Sequence, residues 1–263
     1  MVLEAVALCH VGRVRQNNED NFYLQGKVRQ NLALQYAEES YKGSVNQGLF
    51  AVADGMGGEA DGELASLVTV QSLRACALED VYETAMESIG EANEMLCDEM
   101  LQNGGKRMGS TLAALYVDGD RAIACNVGDS RIYLMRDGHL TQQSVDHTIV
   151  QQMVDMGAIT KEQARTHKRR HVLSQNIGIF PEELVIEPYF TEPISLLPGD
   201  IYLLCSDGLT DMVTDEEIRE VLWEDMIKVP SKTFEQQAKQ LIDLALQHGG
   251  KDNVTVMLVK IEL

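Results

Sequence analysis

Runs of apolar residues and stretches of alternation along this chain predict strands, then helices, then strands again. Val2 to Cys9 reads as a buried strand ahead of Gly12, and Gly48 to Ala53 is a short apolar run that stops at Asp54. Ser110 to Val117, the turn Asp118-Gly119-Asp120 and Arg121 to Val127 spell a hairpin. Ser130 to Met135, followed by Asp137-Gly138, extends it into a meander, so an antiparallel sheet is expected. Leu184 to Phe190, Ile201 to Cys205 and Val254 to Ile261 complete the predicted strands. The 3.6-residue period marks helices over Gly62 to Ala77, Val81 to Leu101 and Thr233 to Leu246, the last stopped by Gly249-Gly250.

Two segments stand apart. Gly26 to Gln47, with Ser40, Lys42, Gly43, Ser44 and Asn46, is polar and is expected to be an exposed excursion between core strands. Residues 146–178 hold two short helical patterns and the cluster Lys168-Arg169-Arg170-His171, and are expected to form a flap. Strands and helices come in blocks rather than in strict alternation, which argues against a parallel sheet. The expected class is α+β, a sandwich of sheets covered by helices. No repeat or flexible linker divides the chain, so residues 1–263 are expected to form one domain.

Composition narrows the function classes. With 22 Lys+Arg against 41 Asp+Glu, a net charge of −19 repels nucleic acid and anionic membrane surfaces. No stretch reaches the roughly 20 apolar residues of a membrane span, and Met1 to His10 lacks signal-peptide features, so a cytoplasmic location is expected. Cys9, Cys76, Cys97, Cys125 and Cys205 show no zinc spacing and read as buried thiols.

The candidate chemistry lies in acidic residues framed by glycine or asparagine: Asp54 in Ala53-Asp54-Gly55-Met56-Gly57-Gly58, Asp207 in Ser206-Asp207-Gly208, and Asp252 in Lys251-Asp252-Asn253. Carboxylates converging from separate strand ends suit two divalent ions about 3.5–4 Å apart, and oxygen-only ligation favours Mg²⁺ or Mn²⁺ over zinc. A glycine after Asp54 would free the Gly55 carbonyl to turn toward the same ion. Arg15, four residues before Glu19-Asp20, offers a guanidinium fork matched to phosphate oxygens; the alternative is an ion pair with Glu19 at helical spacing. For Asp146, N-capping of the helix that follows is expected.

The segments Gly12 to Asp20, Ala53 to Gly58, Gly109-Ser110-Thr111, Val127 to Arg131, Ser206 to Leu209 and Asp252 to Thr255 occur in order. Together they resemble the motifs of the metal-dependent serine/threonine protein phosphatases of the protein phosphatase 2C type, in the compact bacterial branch. The resemblance implies two antiparallel sheets flanked by helices on both sides. It also implies hydrolysis of phosphoserine and phosphothreonine by a metal-activated water at a binuclear Mn²⁺ or Mg²⁺ centre. By position, Asp54 resembles the bridging ligand, Gly55 a backbone ligand, and Asp207 and Asp252 the remaining ligands. Arg15 resembles the phosphate clamp, Glu19 or Asp20 holds metal-bound water, and Asp129 with Asp207 forms a weaker third site. Met56 stands where several eukaryotic relatives carry a histidine acid, so the resemblance leaves the leaving-group acid unassigned, and a metal-bound water or a third-site water is the expected proton source. The expected partners are phosphorylated proteins and a bacterial Ser/Thr kinase, and the expected state is a monomer. The rival readings are a regulator phosphatase devoted to one signalling partner, a phosphoprotein-binding module without catalysis, and a two-metal nuclease, which the charge disfavours.

Overall fold

The computed structural model describes residues 2–44, 47–57, 61–227 and 233–262; Asn46 and Gly58 lie outside the described residues. The strands are β1 Val2–His10, β2 Asp20–Leu24, β3 Lys27–Val28, β4 Tyr36–Ser44, β5 Gln47–Met56, β6 Gly109–Ser110, β7 Leu112–Asp118, β8 Arg121–Val127, β9 Arg131–Arg136, β10 His139–Gln142, β11 Tyr189–Phe190, β12 Ile194–Ser195, β13 Ile201–Cys205 and β14 Val254–Glu262. The helices are α1 Asp61–Gln71, α2 Val81–Gln102, α3 Ile149–Asp155, α4 Lys161–Arg165, α5 Asp207–Thr210, α6 Asp215–Ile227 and α7 Phe234–Gln247.

Two sheets form the centre, one in the order β10-β9-β13-β14-β1-β4, the other along β11-β8-β7-β5-β2-β3, and their ladders are antiparallel. Both faces of β1 are covered, which is why its sequence runs apolar instead of alternating. Leu3, Ala5 and Ala7 meet Phe22, Phe50 and Leu115 between the sheets, while Val6 and Leu8 pack outward with Leu241 and Ile242 of α7. On the other side, Leu49 and Tyr116 lie under Ala65 of α1 and Ile89 and Leu96 of α2. Each such Leu or Phe contributes about 1.5–3 kcal/mol by burial. The layers are therefore helix, sheet, sheet, helix, as expected.

Several expectations are corrected. Gly26 to Gln47 is not an excursion: it contains β4, a nine-residue edge strand paired along the length of β1. Its polarity is that of an edge, with Lys27 on Glu39 and Lys42 on Glu4 and Glu262 discouraging further pairing. Leu184 to Phe190 shrinks to Tyr189–Phe190, because Pro188 has no N–H to give a ladder. The first helix ends at Gln71 rather than Ala77, where the Ser72 hydroxyl donates to the Thr69 carbonyl. β2 and α6 carry no strong period in the sequence and were not anticipated.

Candidate active site

The sheets bring one end of their central strands together, and the candidate residues gather there. Asp54 lies inside β5, which continues past Ala53 to Met56 because it pairs with β2 and β6. Asp129 occupies the β8–β9 turn, Asp207 opens α5 directly after β13, and Asp252 precedes β14. Arg15, Glu19, Asp54, Gly55, Asp129, Asp207 and Asp252 all line one cavity of about 570 Å³. Asp20 does not reach it and sits fully buried behind the wall.

Gly55 is also required by packing. A Cβ there would come within 1.9 Å of the Gly62 carbonyl oxygen and 2.6 Å of that of Glu19, so the residue is dictated by the closeness of α1 and the β2 approach. Behind Asp54, the Thr111 hydroxyl accepts from its amide at 3.0 Å and the Ser110 hydroxyl donates to its carbonyl at 3.1 Å. Ser110 and Thr111 thus position Asp54 rather than act as nucleophiles.

The arrangement of acids is costly unless cations join it. Asp20 and Asp54 face each other directly across the β2–β5 ladder, where like charges repel. Burial, and then Asp20, Asp207, Asp129 and Asp252, push the Asp54 carboxyl well above the usual range; burial followed by Asp207 and Asp146 does the same to Asp129. Asp20 accepts from Ser206 at 2.7 Å and Thr255 at 2.8 Å on Oδ2 alone. Its Oδ1 is buried with no hydrogen-bond partner. An orphaned carboxylate oxygen beside hard oxygen donors is what a divalent cation and its water would satisfy, so the residues fit that group.

The carboxylates are not drawn into one tight set. Among the described residues, the group whose ligand atoms lie mutually within 4.8 Å is His171, Asp207 and Asp211. Within that group His171 Nδ1 lies 3.5 Å from Asp207 Oδ2, while outside it Arg15 Nη2 donates to Asp252 Oδ2 at 2.7 Å, not to Glu19. Gly12, at φ +82°, lets the Arg15 loop press on residues 250–252, where a Cβ would meet the Asp252 carbonyl at 2.1 Å. The Arg13 amide bonds the Gly250 carbonyl, and Asn253 holds Val11, Asn17 and Glu19. Glu19 lines the cavity with its carboxyl against Gly62, raised by burial first.

Sequence reasoning missed His171 and Asp211 as cavity residues, and Arg29, whose buried guanidinium binds the carbonyls of Asn18 and Asp20. Asp211 sits four residues after Asp207, a spacing that could have been read. Asp146 does not cap α3; Thr148 does, and Asp146 takes a forked bond from Arg131.

The titration has a measurable consequence. Burial raises the Asp20 carboxyl from 3.8 to about 7. Between those values the folded chain holds a proton that the unfolded chain has lost, so stability is greatest at the acid end and falls as pH rises through about 7. Asp54 and Asp129 act in the same direction. The thermal midpoint of metal-free protein is expected to drop from pH 5.5 to pH 8, each ~1 kcal/mol moving it by about 2–4 °C. Saturating Mn²⁺ is expected to remove the drop. A midpoint that climbs over this range in metal-free protein would show that the acids ionise without penalty.

Comparison with known proteins gives a consistent picture. The family described as Protein phosphatase 2C matches residues 27–245, which leaves Arg15, Asp20 and Asp252 outside the matched segment. The chain is 35% identical over 266 residues to serine/threonine protein phosphatase PstP of Mycobacterium tuberculosis, covering 99% of this chain and 45% of that one, so it spans about half the length of that relative. It is 35% identical to serine/threonine phosphatase stp of Listeria monocytogenes, covering 96% of this chain and 93% of that one. The solved catalytic domain of a serine threonine protein phosphatase PstP in complex with 2 manganese ions superposes with a TM-score of 0.78 at 32% identity over the full length of both chains. No helix among the described residues is long and apolar enough to cross a membrane.

Proposed function

Since this chain belongs to the protein phosphatase 2C family, we propose that it hydrolyses phosphoserine and phosphothreonine in proteins, with residues 1–263 acting as one catalytic domain. The observation that carries the reading is the buried, unpartnered Asp20 Oδ1 directly across the ladder from Asp54, behind a cavity that also holds Asp207, Asp252 and Arg15. The pairing of β1 with β14 supports a single unit, since it ties the N-terminal strand to the C-terminal one.

Asp54, the Gly55 carbonyl, Asp207 and Asp252 are the residues that would hold two divalent cations, Mn²⁺ or Mg²⁺, and Asp129 with Asp207 a weaker third. When bound, the cations acidify water and neutralise charge on the phosphoryl group. Glu19, on the cavity wall, would accept hydrogen bonds from water held by those cations, and Asp20 Oδ1, buried behind the wall, would take part only through a water reaching in from the site. Arg15 turns from Asp252 to the phosphate, where its fork binds two oxygens and stabilises charge as the phosphorus–oxygen bond breaks. The hydroxyl of Thr111 on the cavity wall is engaged by the Asp54 amide and the Ser130 hydroxyl, so the attack is assigned to water: its oxygen bonds to phosphorus as the bond to the serine oxygen breaks, and that oxygen leaves with a proton.

The substrates are phosphoproteins, and the opposing activity is a Ser/Thr kinase. The chain acts as a monomer in the cytoplasm, in keeping with its charge and with the lack of a spanning helix among the described residues. Release of phosphate from a phosphothreonine peptide, with Mn²⁺ and after chelation, tests the assignment. Metal uptake without phosphate release would favour a regulator devoted to one partner; no metal uptake would favour a binding module.

Leaving-group protonation supplies a further prediction. Met56 offers no proton, so the proton would come from water, either held between the two cations or held at Asp129, and the second source is the one put to the test. Asp129→Ala is expected to lower kcat/KM on a phosphothreonine peptide about ten-fold more than on an aryl phosphate, whose leaving group needs no acid. Equal losses on the two substrates would remove Asp129 from proton delivery.

A further inference from the structure

We infer that the groove between the flap and the catalytic core is a subsite for acidic residues flanking the phosphorylated one, read by Lys161 and Arg165; this rests on the phosphatase reading above. The groove, of about 750 Å³, opens from the metal end of the cavity, with which it shares Asp129, Arg170, His171, Asp207 and Asp211. A peptide whose phosphate lies at Arg15 and Asp54 therefore has a continuous path along it.

The flap wall is firmly placed. Its base is tied to the site, with the His147 amide on the Gly128 carbonyl at 2.9 Å, the Ser174 amide on His147 at 2.8 Å, and Asp146 bound by Arg131. α4 is fixed by a capping box between Thr160 and Gln163, which sets Lys161 and Arg165 on the groove. Neither makes an ion pair among the described residues, although the protein carries a net charge of −19.

The acids on the same walls are already engaged. Asp146 binds Arg131, Asp211 faces His171 at 3.3 Å and Arg170 at 3.8 Å, Asp215 accepts from the Tyr133 hydroxyl at 3.3 Å, and Asp129 and Asp207 belong to the metal end. Lys161 and Arg165 are the cations of the groove that stand without an ion pair among the described residues, Arg131, Arg170 and His171 each facing an aspartate, while Val150, Val154 and Leu140 give it apolar wall. Cations unpaired in a strongly acidic protein, next to a site for an anion, complement a carboxylate-bearing strand of peptide. Lys168 and Arg169, in the same segment, do not line the groove and serve as its internal control.

The test compares phosphothreonine peptides that differ only in Glu or Gln at the flanking positions, with Mn²⁺, at low and high salt. Exposed charge pairs are worth about 2–5-fold each. The native protein is expected to favour the Glu peptide by about 5–10-fold in kcat/KM, carried by KM, and to lose the preference near 0.5 M salt. The preference is expected to fall toward unity in Lys161→Gln/Arg165→Gln and to persist in Lys168→Gln/Arg169→Gln. Equal turnover of the two peptides by native protein overturns the inference, as does loss of preference in both double variants, which would assign it to overall charge. If native protein turns over neither peptide nor p-nitrophenyl phosphate, the phosphatase reading itself fails, and peptide affinities by fluorescence anisotropy carry the same comparison.

Discussion

Asp207→Ala is expected to lower Mn²⁺-dependent kcat/KM on a phosphothreonine peptide by ~10³-fold or more. Removing a carboxylate that holds a catalytic cation forfeits about 4 kcal/mol or more of charge stabilisation in the transition state. Asp207 lies on the central cavity, close enough to Asp129 to raise that carboxyl, and meets His171 of the flap. The fold is expected to survive, because the side chain is not in the packed core and its backbone begins α5 independently of the carboxyl group. Circular dichroism should be unchanged while calorimetric Mn²⁺ binding weakens. Activity within ten-fold of native, with full metal occupancy, would show that Asp207 is not a ligand that matters to the chemistry.

The second large effect is expected at Arg15. Arg15→Ala should cost about 10²-fold in kcat/KM, near 3 kcal/mol, because its guanidinium lines the cavity beside Asp54 and Asp252 and is suited to bind two phosphate oxygens at once, whereas Arg170, also on the wall, lies toward Asp211. Lysine at this position should recover only part of the loss, since a point charge lacks the fork. The structure separates this role from metal binding. Arg15 donates to Asp252 at 2.7 Å, so its removal frees a carboxylate instead of taking one away. Mn²⁺ affinity is therefore expected to hold or rise in Arg15→Ala while turnover falls. A parallel loss of metal affinity and activity would instead make Arg15 a structural support of the Asp252 loop.

The two variants divide the site into its halves. On the proposed reading Asp207 would report on the cations and Arg15 on the phosphate, and both line the cavity where the central strands end. The flap adds a third element whose charge is opposite to that of the rest of the protein. Its anchorage through Arg131 and Asp146 connects it to the same turn that carries Asp129.

The sequence alone indicated the layers and most of the acids that the fold gathers at one cavity. Apolar runs such as those of β1, β5 and β14 are covered on both faces, and with strands and helices arriving in blocks rather than alternating, a sandwich of sheets with helices outside is the architecture that does so. Asp54, Asp207 and Asp252 were legible because each interrupts or borders an apolar run, and in-order motifs made chance an insufficient account. Elements that depend on partners were not legible. β4 is polar because it is an edge, and only its ladder with β1 makes it a strand. Tertiary structure alone decided that Asp20 faces Asp54 across a ladder, that Arg15 meets Asp252 rather than Glu19, and that His171 reaches Asp207. These pairs are 34, 237 and 36 residues apart, a separation no local period encodes. Local periodicity fixes which face of an element is buried; the contacts between charged groups follow from which strand ends the packed sheets bring together.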